Sequence, residues 1–255
     1  MKKLDIALLI LFPLTAVTVS LAFQVNFFVS ILLFYGLPSF WLSLRTPKRI
    51  TKTFFFALIF SLPIGIFIDY LATPDQSWFI PHSIFHFRLW GFVPIDNLVW
   101  GFFLVYFVII FYEHFLEKGR DKQAFKKANY FVWCLMAVLA LFVGVTLVRP
   151  EILVLHYAYF WIGIVLVLLP FLSFISFFPK LLAKFVRAGS YFFVLSLVYE
   201  LTALQLNWWS FPGTHFIGWV QLLGYRFPFE EFFFYMSLIT TALLSYYEFF
   251  DDDRK

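Results

Sequence analysis

The chain alternates apolar runs of about 20 residues, the length that crosses the hydrocarbon of a bilayer as a helix, with short basic connections. No soluble core could bury so many of them. Residues are 62% hydrophobic and 13% charged, whereas a soluble domain is roughly 45–50% apolar and about 25% charged. The expected class is an all-α polytopic membrane protein. Eight spans are read, at 5–24, 27–44, 53–72, 96–116, 129–148, 153–177, 188–206 and 229–248.

Basic residues in short loops mark the cytoplasmic side. With eight spans, sixteen of the 19 basic residues fall on the side of the N-terminus. Those sixteen include Lys48, Arg49, Lys118, Arg120, Lys122, Lys126, Lys127, Lys180, Lys184, Arg187, Arg254 and Lys255. Only Arg88, Arg149 and Arg226 fall opposite. Both termini are therefore expected in the cytoplasm, with the chain in the cell membrane. The net charge of +4 comes from these loops, so no nucleic-acid partner is read from it. Met1-Lys2-Lys3 and the run behind it also resemble a secretory signal, but the run is long enough to span and the charge partition needs it. The single cysteine, Cys134, excludes an intrachain disulfide and reads as a buried small apolar residue. Spans 1 and 2 are joined only by Gln24 to Asn26, which demands a tight connection. Pro13, Pro63 and Pro170 fall inside spans, and Gly101, Gly144 and Gly163 are expected at close helix approaches.

An internal repeat runs through the chain. Asp69 ends a span, Trp78 follows nine residues later and Pro81 three after that; Glu200, Trp209 and Pro212 keep the same spacing. Gly91 and Pro94-Ile95-Asp96-Asn97 then match Gly224 and Pro228-Phe229-Glu230-Glu231. Tyr112-Glu113 closes the next span, as does Tyr247-Glu248. The copies occupy 1–127 and 128–255, four spans each. An even number of spans orients them alike, as parallel repeats about an axis along the membrane normal. The connections 73–95 and 207–228 then lie on the non-cytoplasmic face, where Trp78, Trp90, Trp208, Trp209 and Trp219 suit the headgroup level.

An ionisable residue in a span is costly and marks a functional site by default. Asp69, Asp96, Glu200 and the pair Glu230/Glu231 gather near one face. Adjacent residues on a helix point about 100° apart, so one of Glu230 and Glu231 faces a ligand and the other holds the turn. In an oily cavity a carboxyl group is favoured as the neutral acid, able to protonate a weak base. Aromatic faces stabilise a developing cation. Together these suit acid chemistry on an isoprenoid alkene.

These same residues resemble the small membrane lycopene cyclase family, which occurs as two homologous half-chains or as fused halves. Its signature is Pro-x-Glu-Glu/Asp at a span start in each half. Pro228-Phe229-Glu230-Glu231 fits in full. Pro94-Ile95-Asp96-Asn97 departs, with one acid shortened and one replaced by an amide. That departure fits an asymmetric site worked by Glu230/Glu231, a changed substrate, or lost cyclase activity. The resemblance covers about 53–116 and 140–250. It implies a cofactor-independent isomerisation: a carboxylic acid protonates the linear ψ-end of a carotenoid and the end closes to a β-ionone-type ring. Glu230 or Glu231 is then the acid, with Asp96, Glu200 and Asp69 as base or supporting groups. Trp78, Trp209, Asn97, Pro94 and Pro228 contact the substrate. The partners implied are a long apolar isoprenoid and the lipid bilayer, with homo-oligomerisation left open. A related terpenoid cyclase or a hydratase is the nearest alternative, and a carotenoid or lipid binder or a transporter the next.

No metal is read from the sequence. His82 and His86 are four apart but lack an acid to complete a set. His156 reads as a packing residue, and His215 as a hydrogen-bond partner for an acid. Glu113, His114 and Glu248 are expected to be solvated at the cytoplasmic ends, with Asp251-Asp252-Asp253 as a tail.

Overall fold

The computed structural model describes residues 2–117 and 128–250. The basic run from Lys118 to Lys127, the Asp251–Asp253 tail with Arg254 and Lys255, and the side chain of Cys134 lie outside the described residues. The fold is all-helical. Six helices are long and apolar enough to cross a membrane: α1 (Lys2–Phe23), α2 (Phe27–Arg45), α3 (Pro47–Ala72), α4 (Ile95–Phe115), α6 (Ala158–Phe177) and α7 (Pro179–Gln205). Two further stretches are helical, α5 (Ala128–Val148) and α8, which runs from Glu231–Leu238 into Ile239–Phe250.

Local chemistry sets the breaks. Gln24 adopts a left-handed φ of 49° and the Asn26 side chain caps α2 on the Val29 N–H, so three residues suffice between α1 and α2. Proline inside a helix removes one backbone bond and crowds the preceding turn. In α2 and α6 a π-helical turn, Leu32–Gly36 and Gly163–Leu168, lies directly before Leu37-Pro38 and Leu169-Pro170 and takes up that misfit. The expected span at 153–177 starts late. Pro150–Leu153 is a 3₁₀ turn, Tyr157 takes a φ of 59°, and α6 begins at Ala158, whose N–H is capped by the Asp75 carboxylate at 2.9 Å. Both α3 and α7 begin earlier than expected, through Pro-led 3₁₀ turns that carry Lys48 and Lys180.

The core is aromatic. Phe107 of α4 and Phe192 of α7 are fully buried, edge to face at 4.9 Å. At the far end of α4 and α8 two contacts cross between the helices: the Tyr112 hydroxyl donates to Glu248, and the Tyr247 hydroxyl to Glu113. Arg49 and Lys52 close on Glu113 at 3.2 and 3.1 Å. The expectation that Glu113 and Glu248 are solvated is therefore corrected: both are buried, because tyrosines and cations replace water around them. His114 is likewise engaged, between Thr46 and Asp5 at 2.7 and 3.0 Å. Asp5, also bound by Arg45 at 3.1 Å and Trp41 at 3.2 Å, fastens α1 to this end.

Of the three glycines expected at close approaches, Gly163 meets it, since an added Cβ would enter the ring of Phe234. Gly101 and Gly144 have open space there instead. Between α3 and α4 the tight glycine is Gly65, where an added Cβ would lie 3.2 Å from the Leu98 side chain.

Two hairpins at the other end were not foreseen. β1 (Arg88–Leu89) pairs with β2 (Val93–Pro94), and β3 (Trp219–Leu222) with β4 (Tyr225–Pro228), both antiparallel. Leu223-Gly224, both at positive φ, make the two-residue turn of the second. The connections themselves are joined: Phe79 and Ser210 exchange both backbone hydrogen bonds, at 2.8 and 2.9 Å.

Candidate active site

Each hairpin delivers its chain to a helix start carrying two polar residues, and the two divide the work. On α8 the Glu230 carboxylate accepts the Ile217 N–H at 2.7 Å, while Phe229 N–H bonds Gly218 O at 2.9 Å, so β3 holds the helix entry. Glu230 is fully buried and its second oxygen has no partner among the described residues. Glu231, the next residue round the helix, lines a cavity of about 190 Å³ between α2, α3, α4, α6, α7 and α8. On α4 the pattern repeats: Asp96 accepts from Ser83, and Asn97 faces the cavity.

The cavity collects the acids from two other helix ends. Asp69 closes α3 and Glu200 lies near the end of α7, each 2% exposed. Trp78 donates its indole N–H to Asp69 at 3.0 Å, and Trp209 donates to Glu200 at 3.1 Å. Here the two acids part company. The Asn97 amide nitrogen donates to both oxygens of Asp69, at 2.7 and 2.9 Å. Three N–H donors thus fix the orientation of the Asp69 carboxyl group. Glu231 lines the same cavity, and its carboxyl group makes no hydrogen bond to the described residues.

Asp69, Glu200, Glu231, Trp78, Trp209 and Asn97 are therefore brought to one wall. Asp96, Glu230, Pro94 and Pro228 are not: both acids hold loop backbone or hydroxyl groups, and both prolines are buried at the ends of β2 and β4. Residues the sequence reading missed complete the wall. Tyr159 stacks on Tyr235 at 4.6 Å and meets Trp78 at 5.0 Å; Tyr199 lies 5.4 Å from Trp209. The Trp100 indole nitrogen and the Tyr235 hydroxyl are buried without partners among the described residues. A four-residue stripe would have found several of these: Ser61, Gly65 and Asp69 on α3, Asn97, Gly101 and Val105 on α4, and Ser196 with Glu200 on α7 all line the cavity.

Among the described residues, no lysine, arginine or histidine lines the cavity. Three carboxyl groups among apolar and aromatic side chains are costly as three unpaired anions. Protons on the acids, or positive charge on a ligand, offset that cost.

The loops above the cavity hold a second cluster. His215 Nδ1 lies 2.7 Å from Asp75 Oδ1, which supplies the acid partner expected for that histidine. His156 Nδ1 lies 3.9 Å from the same oxygen. The packing role expected for His156 is overturned, because its side chain is 72% exposed in the connection before α6 starts at Ala158. His82 and His86 are exposed and lie outside this cluster.

No family model matches the chain, and neither a curated protein nor a solved structure matches it.

Proposed function

We propose that the protein is a cofactor-independent carotenoid cyclase of the small membrane lycopene cyclase type. The observation that carries the reading is the cavity itself: three carboxyl groups, aromatic walls and, among the described residues, no basic side chain. In the proposed reaction Glu231 gives its proton to the terminal alkene of a linear ψ-end, leaving a tertiary cation. The internal double bond closes onto that cation, forming one carbon–carbon bond and moving the charge into the new ring. A carboxylate then removes a ring proton and the alkene is restored. No atom is gained or lost, so the enzyme is an isomerase (an intramolecular lyase). Asp69, loaded with N–H donors, is cast as base or as the fixed negative charge opposite the cation. Glu200 beside the Trp209 indole supports Glu231. The faces of Trp78, Trp209, Tyr159 and Tyr199 steady the positive charge, at about 0.5–2 kcal/mol per well-placed ring.

The cyclase reading includes eight spans in two like-oriented copies, 1–127 and 128–255, with both termini in the cytoplasm. Several pairings support the copies. Trp–acid bonds span nine residues in each, Tyr–Glu contacts are exchanged between them, and the Phe79–Ser210 bridge joins residues at matching positions.

A second reading shares the first step and differs in the last. Ser61 Oγ lies on the wall, buried and without a partner among the described residues, a suitable holder for water. Water capturing the cation would make the protein a hydratase.

Expression in a lycopene-accumulating host, followed by pigment analysis, tests both. A ringed product of unchanged mass supports the cyclase, and a product heavier by one water supports the hydratase. An unchanged pigment profile with protein present in the membrane refutes both.

A further inference from the structure

We propose that Asp75, His156 and His215 form a binding site for one divalent transition-metal ion of the zinc type, which staples the loops that roof the cavity. Nothing in this inference depends on the cyclase reading. The three side chains come from three separate stretches of chain, and one ligand atom from each lies within 4.8 Å of the others. A tetrahedral zinc ion with bonds of about 2.0–2.1 Å keeps its ligand atoms roughly 3.3 Å apart. The present separations of 2.7 and 3.9 Å from Asp75 Oδ1 bracket that value, so modest side-chain rotations reach it. The donor set, two imidazoles and one carboxylate, is the chemistry zinc takes, and it leaves a fourth position for water.

The surroundings hold these ligands in place. Asp75 is buried, and its other oxygen is occupied by the Ala158 N–H at 2.9 Å, which orients Oδ1 toward the histidines. A ligand fixed through its second oxygen is the usual outer-shell arrangement at metal sites. His215 is drawn in by Gly213, whose N–H bonds Gln76 O at 2.9 Å. A Cβ there would come within 2.7 Å of the Asp75 and Gln76 carbonyl oxygens, so only glycine permits the approach. His156 is aimed by Tyr157, a non-glycine residue at a φ of 59°. Strain of this kind is kept where the surroundings need it. The imidazoles lie with centroids 4.5 Å apart and tilted by 57°, converging without stacking. In the metal-free state His215 Nδ1 and Asp75 Oδ1 are joined by a hydrogen bond. An ion held by both atoms would take the place of that bond, the neutral imidazole carrying its hydrogen on Nε2.

The consequence is mechanical. Trp78 follows Asp75 by three residues, Tyr159 follows His156 by three, and Phe211 precedes His215 by four; all three line the cavity. An ion bridging the loops would hold those aromatic rings at fixed separation.

The test uses the full chain, purified in detergent with an affinity tag free of histidine and stripped by chelator. Zinc is titrated by calorimetry, with cobalt(II) as a visible probe of four-coordinate geometry. One equivalent should bind, and zinc should raise the melting temperature. His156→Ala removes an exposed side chain, so it should keep the metal-free melting temperature and weaken zinc at least about tenfold. The double variant His82→Ala/His86→Ala should bind as the parent does. The proposal is overturned by absence of zinc binding to the folded parent, by unchanged affinity in His156→Ala, or by loss of binding in the His82/His86 variant.

Discussion

Replacing each of the adjacent glutamates by glutamine separates their roles, because the two side chains do different things one helical step apart. Glu231 makes no hydrogen bond to the described residues and faces the cavity. Glu231→Gln is nearly isosteric and leaves no protein partner behind, so stability should hold within about 0.5 kcal/mol. What it removes is the dissociable proton. General acid catalysis contributes typically about 10²–10⁴-fold, or about 2.7–5.4 kcal/mol of barrier at 1.36 kcal/mol per decade. Glu230→Gln is the reverse case. Its carbonyl oxygen can still accept the Ile217 N–H, but an NH₂ replaces the oxygen that has no partner. A buried donor left unsatisfied costs about 1–3 kcal/mol, so Glu230→Gln should melt lower while keeping its rate within a few-fold. The assay is initial-rate conversion of lycopene in detergent-solubilised membranes, with melting followed on the same samples. A Glu231→Gln enzyme within threefold of the parent, or a Glu230→Gln enzyme that is stable and dead, would falsify the division of labour.

Three further perturbations follow from the geometry. Asn97→Leu deprives Asp69 of both amide donors, and at about 1.5–3 kcal/mol per hydrogen bond to a charged group it should lower stability by roughly 3 kcal/mol or more; an unchanged melting curve would refute the Asn97–Asp69 contact. Gly163→Ala drives a methyl into the Phe234 ring and should cost about 1–3 kcal/mol, whereas Gly101→Ala enters open space and should cost little, both read by thermal melting. In a background with Cys134→Ala, the pair Phe79→Cys/Ser210→Cys should form a disulfide under mild oxidation. Doubly hydrogen-bonded antiparallel partners place their Cα atoms about 5.5 Å apart, inside the range a disulfide spans. A gel mobility shift reversed by reductant reads it, and its absence would sink the loop-to-loop bridge.

The acids divide in a way the sequence could only half express. Glu230-Glu231 are neighbours, so helical geometry says they diverge; which one turns inward depends on Ile217 and Gly218 of the connecting segment reaching back from thirteen and eleven residues earlier. The Trp–acid spacing of nine was visible as a repeat, yet the indole-to-carboxylate bond it encodes required the chain to fold back after Ala72 and after Gln205. Glu113 and Glu248 looked like span-end charges in water. They are buried because each meets a tyrosine from a helix more than 130 residues away, a partner no local pattern records. His156 failed the other way: apolar neighbours suggested a packed residue, but Pro150 and the cap from Asp75 delay the helix and leave it in a loop.

The sequence by itself determined the helical, membrane-compatible architecture and the approximate helix ends, because both follow from local chemistry: apolar run length, proline, caps and short polar connections. It also determined that acids recur at matching places. The tertiary structure alone decided which acids share a cavity, which are occupied in holding loops, and that no basic side chain among the described residues joins them. Those outcomes depend on contacts between helices far apart in the chain, and periodicity within one helix carries no information about its partners.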